Sequence, residues 1–183
     1  DIGVPLTLLR LRASHRIAVL ELGMNHPGEI AYLASLVQPS VALINNAQRE
    51  HLEFMHTVEA VARENGSVMA ALGTRGCAVF PAEDAYSSLW ANLAQGHQVC
   101  MFGPPQAQVG LIQADWNDAA WQVQAKTPLG PIAYRLHIAG RHNVGNSLAA
   151  VACALSAGIP LDAVVKGLSD FEPVKGRSRA LTI

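Results

Sequence analysis

The stretch RIAVLELGMNHPGEIAYLASLVQPSVALIN (16–45) decides the fold class. Its opening run, RIAVLEL at 16–22, is short, apolar and closed by Gly23, which predicts a strand. Pro27 suits the first turn of a helix, with Asn25 or His26 as its cap and Glu29 near its positive end. That helix is expected over 28–37 and stops before Pro39. A second apolar run at 41–45 predicts another buried strand. Strand, helix and strand joined by short connections make the unit from which parallel sheets are built.

Working outward, the alternation continues. Thr57 caps an expected helix running to Leu72, a third strand is expected at 77–80, a helix at 83–95 and a fourth strand at 99–102. The pattern then changes. Runs at 108–116, 120–126 and 132–138 are separated by Asn117-Asp118 and by Pro128-Leu129-Gly130-Pro131, which predicts an antiparallel meander. Helices follow at 143–157 and 160–168. The class expected is α/β, a mostly parallel sheet flanked by helices with a small antiparallel meander at 108–138. The domain is expected over 1–172, with 173–183 starting a linker to a further C-terminal domain.

Composition narrows the function classes. Half of the 183 residues are hydrophobic and 15% are charged, so the chain can bury a sizeable core, and disordered and fibrous classes are excluded. Thirteen Lys and Arg against fourteen Asp and Glu give a net charge of −1 with no block of like charge. That is no footprint for nucleic acid or a membrane surface, and no apolar run nears the roughly 20 residues of a bilayer span. Cys77, Cys100 and Cys153 lack CxxC or Cys/His ligand spacing and read as buried free thiols of a reducing cytoplasm.

Ligands of open α/β sheets collect beyond the carboxyl ends of the strands. The first expected strand ends at Glu21, followed by Asn25 and His26; the second ends at Asn45-Asn46 and leads to Glu50-His51. A carboxylate at 21 and an imidazole at 51 on neighbouring strand ends could hold Mg²⁺, while the bland alternative is a buried salt bridge at Glu21 and a turn cap at His51. On the helix from Thr57, the apolar row Val58, Val61, Val68, Leu72 contains Asn65. A buried amide needs a partner, supplied by a neighbouring strand end or by an active cleft. Residues 140–147 (GRHNVGNS) match the glycine frame of a phosphate loop, GxxxxGK[ST], with Asn146 where the Lys would stand. Asn143 and Asn146 could read an adenine edge or merely cap a helix. His51 and His56 are five apart and make a poor metal pair, and Trp90, Trp116 and Trp121 read as packing residues.

Five segments, DIGVPLTLL (1–9), ELGMNHPGEIAYL (21–33), ALINNAQREHLE (42–53), VEAVARENG (58–66) and GRHNVGNSLAA (140–150), together resemble the Mur ligase family in the family's order. The resemblance implies the family's central ATP-binding domain and an ATP-dependent amide-bond ligase of peptidoglycan synthesis. The branch it most resembles joins D-alanyl-D-alanine to UDP-MurNAc-tripeptide through an acyl phosphate, with ATP and Mg²⁺. By position, Glu21 and His51 match the Mg²⁺-associated residues. Asn143, Asn146 and His142 match the segment at the adenine, and Arg177 resembles an Arg near the nucleotide, although Lys175 replaces the family's Pro. Asn25, His26 and residues 1–5 fall on the side of the UDP substrate.

Two departures stand out. Many members carry a Lys, modified to a carbamate that helps hold a second Mg²⁺, where this chain has Asn65; another carboxylate such as Glu64 would have to take that place. The family's phosphate loop belongs upstream of Asp1, so the chain by itself is expected to be inactive. Three rivals stay open: a sister ligase adding another amino acid, a nucleotide-binding or interaction module without catalysis, and a metal hydrolase using Glu21, His26 and His51.

Overall fold

The structure is a computed structural model that describes residues 2–47 and 57–174. Six strands form one sheet in the order β1 to β6: β1 (Val41–Leu43), β2 (Cys77–Pro81), β3 (Gln98–Gly103), β4 (Val109–Asn117), β5 (Ala120–Thr127) and β6 (Gly130–Leu136). The first three pairings are parallel and the last two antiparallel. Among the described residues six α-helices accompany them: α1 (Gly3–Leu9), α2 (Glu29–Val37), α3 (Val58–Gly66), α4 (Ser87–Leu93), α5 (His142–Ser156) and α6 (Leu161–Ser169).

Period-two alternation explains the layering. On β2, Cys77 and Val79 face the core beneath α5 and α6, while Ala78 and Phe80 face the core beneath α2, α3 and α4. Both faces of the strand are buried, as expected of a parallel sheet sandwiched between helices. Trp90 of α4 anchors the second core. It is fully buried, its indole N–H donates to the Ala62 carbonyl at 2.9 Å, and its ring meets Phe80 edge-on. Gly66 allows the close approach of α3 to α4, since a Cβ there would lie 2.4 Å from Leu93 Cδ1.

The meander is continuous with the parallel sheet rather than a separate unit. After β3 the chain folds back through Pro104-Pro105, and Phe102 and Gly103 pair with Val109 and Gly110. A side chain at Gly110 would collide with the Pro104 and Pro105 carbonyls at 2.9 and 2.7 Å, so the loop closes only on glycine. The hairpin between β4 and β5 turns at Asp118 and Ala119, both left-handed, at the expected Asn117-Asp118 break.

Several expectations need correcting. Residues 16–22 are not a strand. They pair with nothing among the described residues, and Ile17 and Val19 are exposed. A strand exists only through its partner, so an apolar run that lands without one joins no sheet. The helix from Thr57 does not run to Leu72 as one element: α3 ends at Gly66 and tightens into a 3₁₀ turn, Ser67–Ala71. Thr57 is its cap, accepting from the Ala60 N–H. The helix expected over 83–95 is only Ser87–Leu93, and α1 has no counterpart among the expectations.

Candidate functional site

The carboxyl end of β1 and the start of α5 meet through a chain of amides. Asn45 Nδ2 donates to Asn146 Oδ1 at 2.9 Å, Asn146 Nδ2 donates to Asn143 Oδ1 at 3.1 Å, and Asn143 Nδ2 donates to the Ala139 carbonyl at 2.6 Å. The structure therefore brings together Asn143 and Asn146, the residues singled out in the glycine loop, and adds Asn45. Each amide has a further donor or lone pair to offer a ligand. Asn146, His142 and Arg141 are exposed and Asn143 is half-buried. No side chain caps the N-terminus of α5.

Local sequence builds this loop. Gly140 sits at φ +93°, and a Cβ on it would reach 2.6 Å from His142 Cε1. Behind the loop, the buried Ser147 hydroxyl donates to the Val144 carbonyl and pairs with the Tyr134 hydroxyl at 2.7 Å. Burial pushes the Tyr134 phenol up to about 12, only partly offset by that bond. Arg141 braces the other side. Its guanidinium lies 5.6 Å over the Trp121 ring and donates to the Ala114 carbonyl, tying the β4–β5 hairpin to the start of α5. Trp121 in turn packs edge-on against Trp116, the packing role expected of both.

Asn65 lies beside the same strand end. It is half-buried, and its Nδ2 donates to the Asn46 carbonyl at 3.5 Å, a long bond. The amide on the apolar row is thus partnered by a strand end. Its neighbour Glu64 does something the sequence reading missed. One carboxylate oxygen, Oε1, accepts from both Gly28 N–H and Ile30 N–H at 2.9 Å, so Glu64 caps α2 from another helix. Glu29 Oε2 accepts from Asn25 N–H at 2.6 Å and His26 N–H at 3.1 Å, and these backbone bonds hold its carboxyl below the usual range. Neither Asn25 nor His26 caps α2 with its side chain; Gly28, at φ +91°, is the capping position. Glu64 thus spends one carboxylate oxygen on α2.

Glu21 is exposed, which removes the buried salt bridge considered for it. Its carboxylate has no partner among the described residues. His51, Glu50 and His56 lie outside the described residues, as does Arg177, so the expected pairing of Glu21 with His51 and the placing of Arg177 fall there. Among the described residues no group of three His, Cys, Asp or Glu side chains is arranged to hold a metal. The three cysteines are free. Cys77 Sγ donates to Ser156 Oγ at 3.3 Å, and burial pushes the Cys100 and Cys153 thiols up, the latter to about 12.

These features define a three-layer α/β domain whose polar residues gather where a parallel strand ends and a glycine-opened helix begins, the place where such sheets hold their ligands. The Mur ligase middle domain family matches residues 1–154, and the chain belongs to that family. UDP-N-acetylmuramoyl-tripeptide–D-alanyl-D-alanine ligase of Escherichia coli (strain K12) is 37% identical over 179 residues, covering 97% of this chain and 40% of the relative. A crystal structure of MurF from Acinetobacter baumannii superposes with a TM-score of 0.91 at 36% identity, over 96% of this chain and 38% of that one. MurF ligase from Thermotoga maritima, crystallised with ADP, shares the fold at a TM-score of 0.84 and 22% identity, over 97% of this chain and 41% of that one. The chain thus spans about two fifths of the length of these relatives.

Proposed function

We propose that this chain is the nucleotide-handling middle part of an ATP-dependent amide-bond ligase of peptidoglycan synthesis, working in the cytoplasm, that joins D-alanyl-D-alanine to UDP-MurNAc-tripeptide. What carries the reading is the likeness of nearly the whole chain to a ligase of that name. The amide chain from Asn45 to Asn143 supports it by presenting donors and acceptors at the start of α5.

In this reaction the tripeptide's terminal carboxylate oxygen takes the γ-phosphoryl group of ATP and ADP departs. The unprotonated amine of D-alanyl-D-alanine then attacks the acyl carbon, the C–O bond to phosphate breaks as the tetrahedral intermediate collapses, and the amine's proton passes to water with the departing phosphate. Both steps crowd negative charge at one place, so the protein must hold the anions in line and neutralise them. In our reading Asn143, Asn146 and His142, with Arg177, hold the nucleotide. Asn25 and His26 line the side of the UDP substrate, and Asn65 steadies the end of β1. Glu21 offers an exposed carboxylate, a hard oxygen ligand without a competing partner among the described residues, and with His51 it would hold Mg²⁺. That donor chemistry fits an ion that keeps several waters and takes the rest of its shell from phosphate oxygens. When bound, Mg²⁺ supplies charge neutralisation at the phosphoryl group.

The test is phosphate release by the complete protein given ATP, Mg²⁺ and both substrates. Release that requires the UDP-linked tripeptide and the dipeptide together supports the reading. Release with a single amino acid in place of the dipeptide moves the assignment to a sister ligase. No release with either overturns it.

A further inference from the structure

Asn25, Pro27 and the start of α2 form a turn whose backbone N–H groups are all engaged. Glu29 takes the Asn25 and His26 N–H groups, Glu64 takes those of Gly28 and Ile30, and the Glu29 N–H donates to the His26 carbonyl. Pro27 has no N–H. What the turn presents outward is therefore side chains, the exposed Asn25 and His26, rather than a backbone anion site. Of the two carboxylates, Glu29 belongs to the turn itself. Glu64 arrives from α3, and the residue after it, Asn65, reaches the Asn46 carbonyl beyond β1. Successive helical residues point about 100° apart, so the last turn of α3 can reach two separate walls.

We infer that Glu64 is a positioning residue for the substrate-side turn. By accepting from Gly28 and Ile30 it sets the angle at which Asn25 and His26 are offered, while Asn65 references the same helix to the end of β1. The inference rests on the proposed reaction for what the turn meets, but not for the bonds themselves. Both N–H groups converge on one carboxylate oxygen, a charge-assisted arrangement stronger than a neutral pair. Gly28, held at a left-handed φ, has few other means of keeping its place.

The experiment compares wild type, Glu64→Gln and Glu64→Ala in the complete protein by amide hydrogen exchange and by kinetics. Glutamine keeps a weaker acceptor in the same place; alanine removes it. In the alanine variant Gly28 and Ile30 are expected to exchange roughly tenfold faster or more, with Asn25 and His26 following, while Leu33 and Val61 keep their protection. KM for the UDP-linked tripeptide is expected to rise about tenfold with KM for ATP moving less than about twofold, and glutamine to restore most of the difference. Unchanged exchange at Gly28 and Ile30 overturns the inference. So does faster exchange with an unmoved KM, or uniform acceleration of every amide, which would make Glu64 a merely structural prop. If alanine prevents folding, the glutamine variant is read alone: with a neutral acceptor in place of the charged one, exchange at Gly28 and Ile30 is expected to quicken by about twofold to threefold, and unchanged exchange there overturns the inference. If the wild type releases no phosphate with both substrates, the reaction assignment has failed, and the exchange pattern alone decides whether Glu64 holds the turn.

Discussion

Replacing Tyr134 with phenylalanine removes one oxygen from the support beneath the α5 loop, and its consequences differ at neutral and alkaline pH. Tyr134 and Ser147 are 5% and 4% exposed, with their hydroxyl oxygens 2.7 Å apart. Ser147 already donates to the Val144 carbonyl, so its oxygen accepts from the phenol. Phenylalanine fills nearly the same volume but leaves that buried oxygen short of a donor, at a cost of about 1–1.5 kcal/mol near pH 7. The pH dependence runs the other way. The phenol is raised from 10.0 to about 12 in the folded chain, chiefly by burial. Between these values the unfolded chain has released its proton while the folded chain still holds it, so stability falls as pH rises. The slope approaches about 1.4 kcal/mol per pH unit, or about 2–3 kcal/mol across the window, and is flat below it. The variant lacks this slope, so the two stability curves should converge near pH 11, by the same arithmetic. Urea unfolding at a series of pH values measures both curves, and the difference in tyrosinate absorbance between the proteins isolates the titration of Tyr134. Parallel curves from neutral to strongly alkaline pH, or a Tyr134 that titrates like a free tyrosine, would refute the reasoning.

Gly140→Ala should destabilise by about 1–2 kcal/mol in chemical denaturation, because alanine resists the left-handed backbone and its Cβ would displace His142. Asn146→Asp keeps an acceptor for Asn45 but loses the donor to Asn143 and sets a negative charge where the nucleotide is proposed to bind; calorimetric titration of Mg-ATP into the complete protein should show affinity weakened by about tenfold. Trp90→Phe deletes the buried N–H bond to Ala62 and opens space beside Phe80, at a cost of about 2–3 kcal/mol read from urea midpoints. Cys153, its thiol pushed up to about 12, should resist a maleimide at pH 8 in the folded protein and react roughly tenfold faster or more once unfolded.

Elements with a strong local period were legible from the residues. The buried strands β2 and β3, the meander with its turn residues, the Thr57 cap and the helix after Gly140 all fall within a few residues of expectation. Residues 16–22 were misread because an apolar run reports only that a strand would suit it, whereas a strand also needs a neighbour to receive its hydrogen bonds. Gly66 was read as the interior of a longer helix, since periodicity is blind to the approach of Trp90 and Leu93 that comes with the 3₁₀ turn. At the site, Asn143 and Asn146 were legible because a glycine frame and a helix start mark them locally. Glu64 was not.

By itself the sequence determined what depends on neighbours a few residues away: element types, the parallel-then-antiparallel order, the glycine that opens α5, and the family resemblance. Only the tertiary structure decided which distant groups meet. Glu64 meets Gly28 across 36 residues and Asn45 meets Asn146 across 101, and at those separations a side chain's partner depends on where the sheet and helices set it. A carboxylate on a helix end reads equally well as metal ligand, surface charge or cap. Packing α3 against α2 is what made Glu64 a cap.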